Sequence, residues 1–408
     1  MDYRRNRFSR DAIRHFLFIF AVGISTALAQ KPVFFQESMV TTTPAAEPLA
    51  EITEPTLRVL YLIPSNRTPQ ASAVPTLKFA VTTIQDWMRT QMVLAGYGPM
   101  TFGCETDADG TPKIHVVNVT YSDSDIRLNI WDNACKAAVE AGIPLWQENQ
   151  VWLIVTECHL QNADGTISGV TALGSSAGGS SGIAMLSSTM LPFMDEKSQT
   201  DQTPYNGRVV SAIGPRPLIQ SISFPWFEGE TFASLWSSYI GAAAHEIGHA
   251  LGLAHDFRSD VNASGNLMGC GLRGIRASNY GANHTRLTAD DAKVLSLNRQ
   301  FTNSTPDHTS CPVVSLPSPP WRENGVVNFP FAASDDAGLE VAQLIRDGAV
   351  VSSMRLSGTS GDFVMTVPDA KDAKWNELEL AVWNVNGGKS SATTANTFNN
   401  EHAPHMFE

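Results

Sequence analysis

The chain has 408 residues, a formal net charge of −12, 43% hydrophobic residues and five cysteines. That acidity argues against nucleic acid or an anionic membrane as a partner, and the length is enough for two domains with separate cores. The cysteine count is odd and no CxxC pair occurs, which argues against a cysteine-based metal site; at most Cys270 and Cys311 could staple the region they flank.

Five arginines (Arg4, Arg5, Arg7, Arg10, Arg14) precede an apolar run from Phe16 to Ile24 and the small residues Ala27-Leu28-Ala29. This reads as a secretory signal peptide over 1–29, too short to span a bilayer, so no stable membrane insertion is expected once it is cleaved. Residues 30–55, rich in Thr, Pro, Ala and Glu, read as a spacer or short pro-segment. Leu57 to Ile63 is a continuous apolar strand carrying one Arg. A helix follows from about Pro75, with Leu77, Val81, Ile84 and Met88 at helical spacing and Gly96 as its stop. Phe102 to Cys104 and Ile114 to Val119 read as strands around the Asp107–Gly110 turn, and Arg127 to Ala141 as a second helix. Val151 to Thr156 is a strand buried on both faces, so the order strand, helix, strand, helix, strand predicts a small α/β sheet.

The Gly/Ser-rich stretch after Gly169 is a loop, and the apolar run Ile183 to Leu186 beyond it suggests an edge strand. Residues 195–230 are irregular and Pro-rich. A helix then starts near Thr231, with Ile240, Ala244, Ile247 and Leu251 as its core stripe.

That helix carries HEIGHALGLAHD, from His245 to Asp256. His245 and His249, four residues apart, lie one helical turn above the other, about 40° apart around the axis, so both imidazoles can reach one ion while Glu246 projects beside it. A helix running on would carry His255 about 15 Å along the axis from His245, too far for a shared metal whose nitrogens each lie about 2 Å away. Gly252 tolerates the left-handed backbone that ends helices and can turn the chain so that His255 returns. A rival zinc motif takes a downstream glutamate as its third ligand, but no Glu occurs between Glu246 and Glu323. The pattern predicts one catalytic Zn2+ held by His245, His249 and His255, with Glu246 as general base and Asp256 beside the site.

Beyond the motif, Leu287-Thr288-Ala289-Asp290-Asp291 predicts a helix start with Thr288 as N-cap and a Leu287–Ala292 staple. Phe301 to Pro320 is a Pro-rich linker. Val326 to Phe331, Leu339 to Arg346, Val350 to Leu356, Phe363 to Val367 and Leu378 to Val385 are short strand-like runs of an all-β sandwich over 321–400 that looks immunoglobulin-like.

As it stands, HEIGHALGLAHD resembles the metzincin zinc peptidases: its core is similar to the matrixin and pappalysin versions, its Asp256 to the adamalysin one. The resemblance implies an α+β (α/β-type) catalytic domain over 56–300 with a twisted mixed sheet and a zinc-site helix. It also implies a methionine turn, for which Asn266-Leu267-Met268-Gly269 is the match. In this clan an antiparallel edge strand upstream of the zinc helix pairs with extended substrate, a role that would fall to Gly182, Ile183, Ala184, Met185 and Leu186. The expected function is a secreted zinc endopeptidase whose partner is a protein or peptide substrate. Two alternatives stay open: a zinc hydrolase of small peptides or amides, and a non-catalytic adhesion protein with structural zinc.

Overall fold

The computed structural model describes residues 54–161, 167–168, 172–177, 181–204, 231–258, 265–269, 271, 275, 285–301, 310–368 and 378–393. The expected leader and most of the spacer lie outside these residues, as do Cys270 and most of the 195–230 segment. Cys104, Cys135, Cys158 and Cys311 are free thiols.

Strand β1 (Thr56–Ile63) is buried along its whole length and pairs in parallel with β2 (Ile114–Asn118) on one side and β3 (Gln150–Thr156) on the other. Its side chains alternate between two cores, as a strand's period of two requires. Leu57, Val59, Tyr61 and Ile63 face helix α1 (Ala73–Leu94), while Leu60 and Leu62 face the layer of α2 (Asp123–Leu128) and α3 (Ile130–Glu140). Arg58 is tolerated because Glu105 accepts from its Nε at 2.7 Å and its guanidinium lies 4.8 Å from the centre of the Trp152 ring. The expected Arg127–Ala141 helix is two helices. Asn129 takes an extended backbone (φ −151°) and caps α3 by accepting the Asp132 N–H.

After the short β4 (Leu160–Gln161) and β5 (Ile167–Ser168) come β6 (Ala172–Ala177) and β7 (Ser181–Ser187). The sheet order is β2-β1-β3-β7-β6, with β7 parallel to β3 and β6 antiparallel to β7. This corrects the edge-strand assignment. Gly182, Ile183, Ala184, Met185 and Leu186 form an internal strand hydrogen-bonded on both sides, and among the described residues β6 ends the sheet on that side. Gly182 is a packing glycine: a Cβ there would overlap the Ala250 carbonyl.

Helix α4 (Phe232–Ala250), capped by Thr231 accepting the Ser234 N–H, lies against β6 and β7. The short strands β8 (Gly265–Asn266) and β9 (Thr285–Arg286) pair in parallel, and α5 (Ala289–Leu297) starts on a Thr288–Asp291 capping box.

The remaining strands form two antiparallel sheets facing each other. One holds β10 (Val313–Ser315), β11 (Trp321–Glu323), β12 (Val326–Ser334) and β15 (Ser360–Pro368); the other runs β14 (Ala349–Arg355), β13 (Leu339–Arg346), β16 (Leu378–Asn384), β17 (Lys389–Thr393). Strand β10 falls inside the stretch read as linker. The central strands of the second sheet, β13 and β16, are buried on both faces. Leu339, Ala342, Leu344, Leu380 and Val382 fill the core between the sheets, whereas Val341, Ile345, Val350, Ala381 and Trp383 join the same apolar cluster as Leu253, Met268 and Leu287. Full burial of a Val or Ile side chain contributes roughly 1.5–3 kcal/mol, against about 0–1 kcal/mol for an ion pair such as Lys293–Glu340. The apolar face therefore carries the docking. The sandwich is not an appendage on a tether.

Candidate metal centre

Helix α4 ends in a Schellman turn: Leu253 N–H donates to the Gly248 carbonyl at 3.0 Å and Gly252 N–H to the His249 carbonyl at 2.9 Å. Gly252 has φ +94°, the left-handed conformation that glycine adopts without strain. The chain reverses there and brings His255 back. The ligating nitrogens of His245, His249 and His255 all lie within 4.8 Å of one another, and His249 Nε2 is 3.0 Å from His245 Nε2 and 3.2 Å from His255 Nε2.

The tautomers decide what these short distances mean. His245 Nδ1 lies 2.7 Å from the Leu267 carbonyl and His249 Nδ1 2.8 Å from the Leu253 carbonyl. A carbonyl oxygen only accepts, so each Nδ1 carries a proton, and in the neutral ring each Nε2 then presents a lone pair. Two lone pairs at 3.0 Å repel, and a cation between them removes the repulsion. Burial pushes the His249 imidazole down to about 4. Burial and the two neighbouring histidines push His255 well below the ordinary histidine value. Both are therefore neutral at physiological pH, the form that ligates metal. The donor set fits a metal ion, and the backbone carbonyls orient its rings as outer partners do in metal sites.

Glu246, one residue after the first histidine, is buried, and burial pushes its carboxyl up to about 8. A dication close by would bring it down into the range of a working base. The Cβ that Gly174 lacks would lie 3.0 Å from Glu246 Oε2 and 2.8 Å from His249 Cβ, so the β6 backbone runs directly against this turn of α4. The sequence reading missed Gly174; its signal was an isolated glycine within a short run that the Gly/Ser-rich composition disguised as loop.

Met268 is fully buried, and its Sδ lies 2.6 Å from where a Cβ on Gly248 would sit, so a side chain between the two histidines of the helix would displace the methionine. Asp256, also fully buried, donates its N–H to the Met268 carbonyl at 2.9 Å and its carbonyl accepts from Asn266 Nδ2 at 3.1 Å. Its carboxylate takes a two-pronged bond from Arg258 at 2.9 and 2.7 Å. Asp256 thus welds the loop of the third histidine to the turn that carries Met268.

No family model and no curated protein matches the chain. Among solved structures it is similar to OgpA from Akkermansia muciniphila. A catalytically inactive form in complex with an O-glycopeptide substrate superposes with a TM-score of 0.53 at 17% identity, covering 87% of this chain and 96% of that one. The wild-type protein superposes at 0.52 and 18% identity, covering 86% of this chain and 97% of that one. At such identity the likeness is one of fold. It is a mixed α/β fold with sheets and few helices, and here it carries a histidine triad able to hold a metal.

Proposed function

We propose that this chain is a secreted zinc-dependent endopeptidase of metzincin type, with His245, His249 and His255 holding the metal. The observation that carries the reading is the convergence of the three imidazoles, two of them with their Nε2 lone pairs fixed inward by carbonyls, beside the buried Glu246. Bound there, zinc supplies a Lewis acid for the scissile carbonyl and lowers the pKa of a water molecule. Glu246 would serve as the base that takes a proton from the attacking water and hands it to the leaving amine. Met268 and Asp256 hold the floor and the outer loop of the site.

The substrate strand moves from β7 to β6. Among the described residues no strand pairs with the outer edge of β6, and this is the edge to which an extended peptide would add as a further strand. Gly174 presses that edge against Glu246 and His249, so a peptide paired there runs alongside the catalytic turn. This edge favours an endopeptidase over a hydrolase of small amides. Among the described residues the cluster holds three histidines and no fourth protein ligand, a donor set that would suit a catalytic rather than a structural zinc, which four protein ligands normally close. The OgpA likeness extends the reading to peptides bearing O-linked glycans, and the sandwich to an immunoglobulin-like module following a catalytic unit over 56–300.

Digestion of an O-glycosylated protein, with and without prior glycan removal, followed by mapping of new termini tests this. New internal termini are expected with the wild type and none with Glu246→Ala; equal cleavage by both variants contradicts the assignment. Loss of cleavage on deglycosylation supports the glycopeptide class, and unchanged cleavage removes it.

A further inference from the structure

The third histidine is held by the sandwich. The hairpin joining β13 to β14 turns on Asp347 (φ +51°) and Gly348 (φ +75°), two consecutive left-handed residues that give a tight two-residue turn. Its tip lies against His255 in a short parallel bridge. His255 N–H donates to the Gly348 carbonyl at 3.1 Å, and Val350 N–H donates to the His255 carbonyl at 2.7 Å. Both main-chain polar groups of the third ligand are thus satisfied by the sandwich. The Val350 side chain is buried in the cluster that includes Leu253 and Met268. Arg258 extends the same contact: besides Asp256, it donates to Asp290 Oδ2 at 2.9 Å and to Ser353 Oγ of β14 at 3.3 Å.

This matters because His255 does not ride on the helix. His245 and His249 are placed by α4, whereas His255 follows a left-handed turn and sits on irregular chain. The Met268 turn fixes the chain only from Asp256 onward. From the bridge, and resting on the metal reading above, we infer that the β13–β14 hairpin is a positioning element of the metal centre. The main chain of Gly348 and Val350 clamps His255 in its ligating place, so the sandwich completes the site. By linkage the effect is reciprocal: metal bound by His255 must in turn stabilise the hairpin tip.

The test uses the full chain and zinc ions, with affinity measured by competition against a chromophoric chelator. Val350→Pro removes the N–H given to His255, while Val350→Ala keeps it and loses only side-chain bulk. Outer partners of metal ligands typically change affinity ten- to hundredfold. The proline variant is expected to weaken zinc binding by at least about tenfold while the alanine variant stays within about threefold of wild type. Equal zinc affinity in a folded Val350→Pro protein overturns the clamp and leaves the metal reading standing; a wild type that takes up no zinc overturns both. Should the proline variant not fold, amide exchange of the wild type decides. Zinc is expected to slow exchange in peptides covering 347–352 but not in those covering β15, and protection confined to 245–255 overturns the proposal.

Discussion

Two of the three histidines and the third stand on different kinds of support. His245 and His249 share α4, pressed onto β6 and β7 by backbone so close that Gly182 and Gly174 have no room for side chains. Their spacing is a property of the helix and survives as long as the helix does. His255 lies beyond the Schellman turn and is fixed by the hairpin tip on one side and the Met268 turn on the other. A helix delivers two ligands for the cost of one element. The third has to be collected by tertiary structure, and a whole sandwich docks against the site where that happens.

The sharpest way to separate chemistry from this scaffolding is Glu246→Gln. It keeps the shape of α4 and all three imidazoles but cannot accept the proton; turnover is expected to fall about 10²–10⁴-fold, with zinc content by mass spectrometry unchanged. Gly182→Val attacks the helix-borne pair. The added side chain meets the Ala250 backbone, which cannot give way, and overpacking of this kind costs about 1–3 kcal/mol or more, read as a lower denaturant midpoint. Gly252→Ala strikes the hinge between the two kinds of support. Forcing a Cβ into φ +94° costs about 1–2 kcal/mol, and thermal unfolding is expected to show that loss together with weaker zinc binding, because the turn that returns His255 is strained.

A pH-dependent effect lies on the His255 side. Burial, and then the charge of Asp256, push the Asp291 carboxyl up to about 7. Since an unfolded Asp ionises near pH 4, the native state holds the extra proton between about pH 4 and 7, and this group makes stability fall as pH rises through that window. Asp291→Asn removes the titration. Its unfolding free energy, measured by denaturant titration from pH 4 to 8, is expected to lose that decline; an unchanged slope shows that other groups cause it.

What could be read from the chain follows the same division. The helix-borne histidine pair, the stop at Gly252 and the Thr288 capping box were legible because each depends on residues within a few positions. The return of His255 was inferred from the same stop. The edge of the sheet was not legible. An apolar run such as Ile183 to Leu186 announces burial but not which neighbours it pairs with, and Ala172–Ala177, which ends the sheet on that side among the described residues, is built mostly of small residues that read as loop. The docking of the sandwich was equally hidden. Val341, Ile345, Ala381 and Trp383 look like ordinary strand residues, and only the filled second face of their sheet shows that it has a partner. The hairpin contact to His255 is made through the main chain, which leaves no side-chain signature at all.

The proposed peptidase activity rests on one metal ion held by His245, His249 and His255. Titrating the metal-stripped protein with zinc while following both binding and cleavage of a protein substrate tests it most directly. The expected result is activity that rises in step with one equivalent of zinc in the wild type, and activity about 10²–10⁴-fold lower in Glu246→Gln although it binds the same equivalent. Full cleavage by the metal-stripped protein, or no saturable zinc site in the wild type, would contradict it.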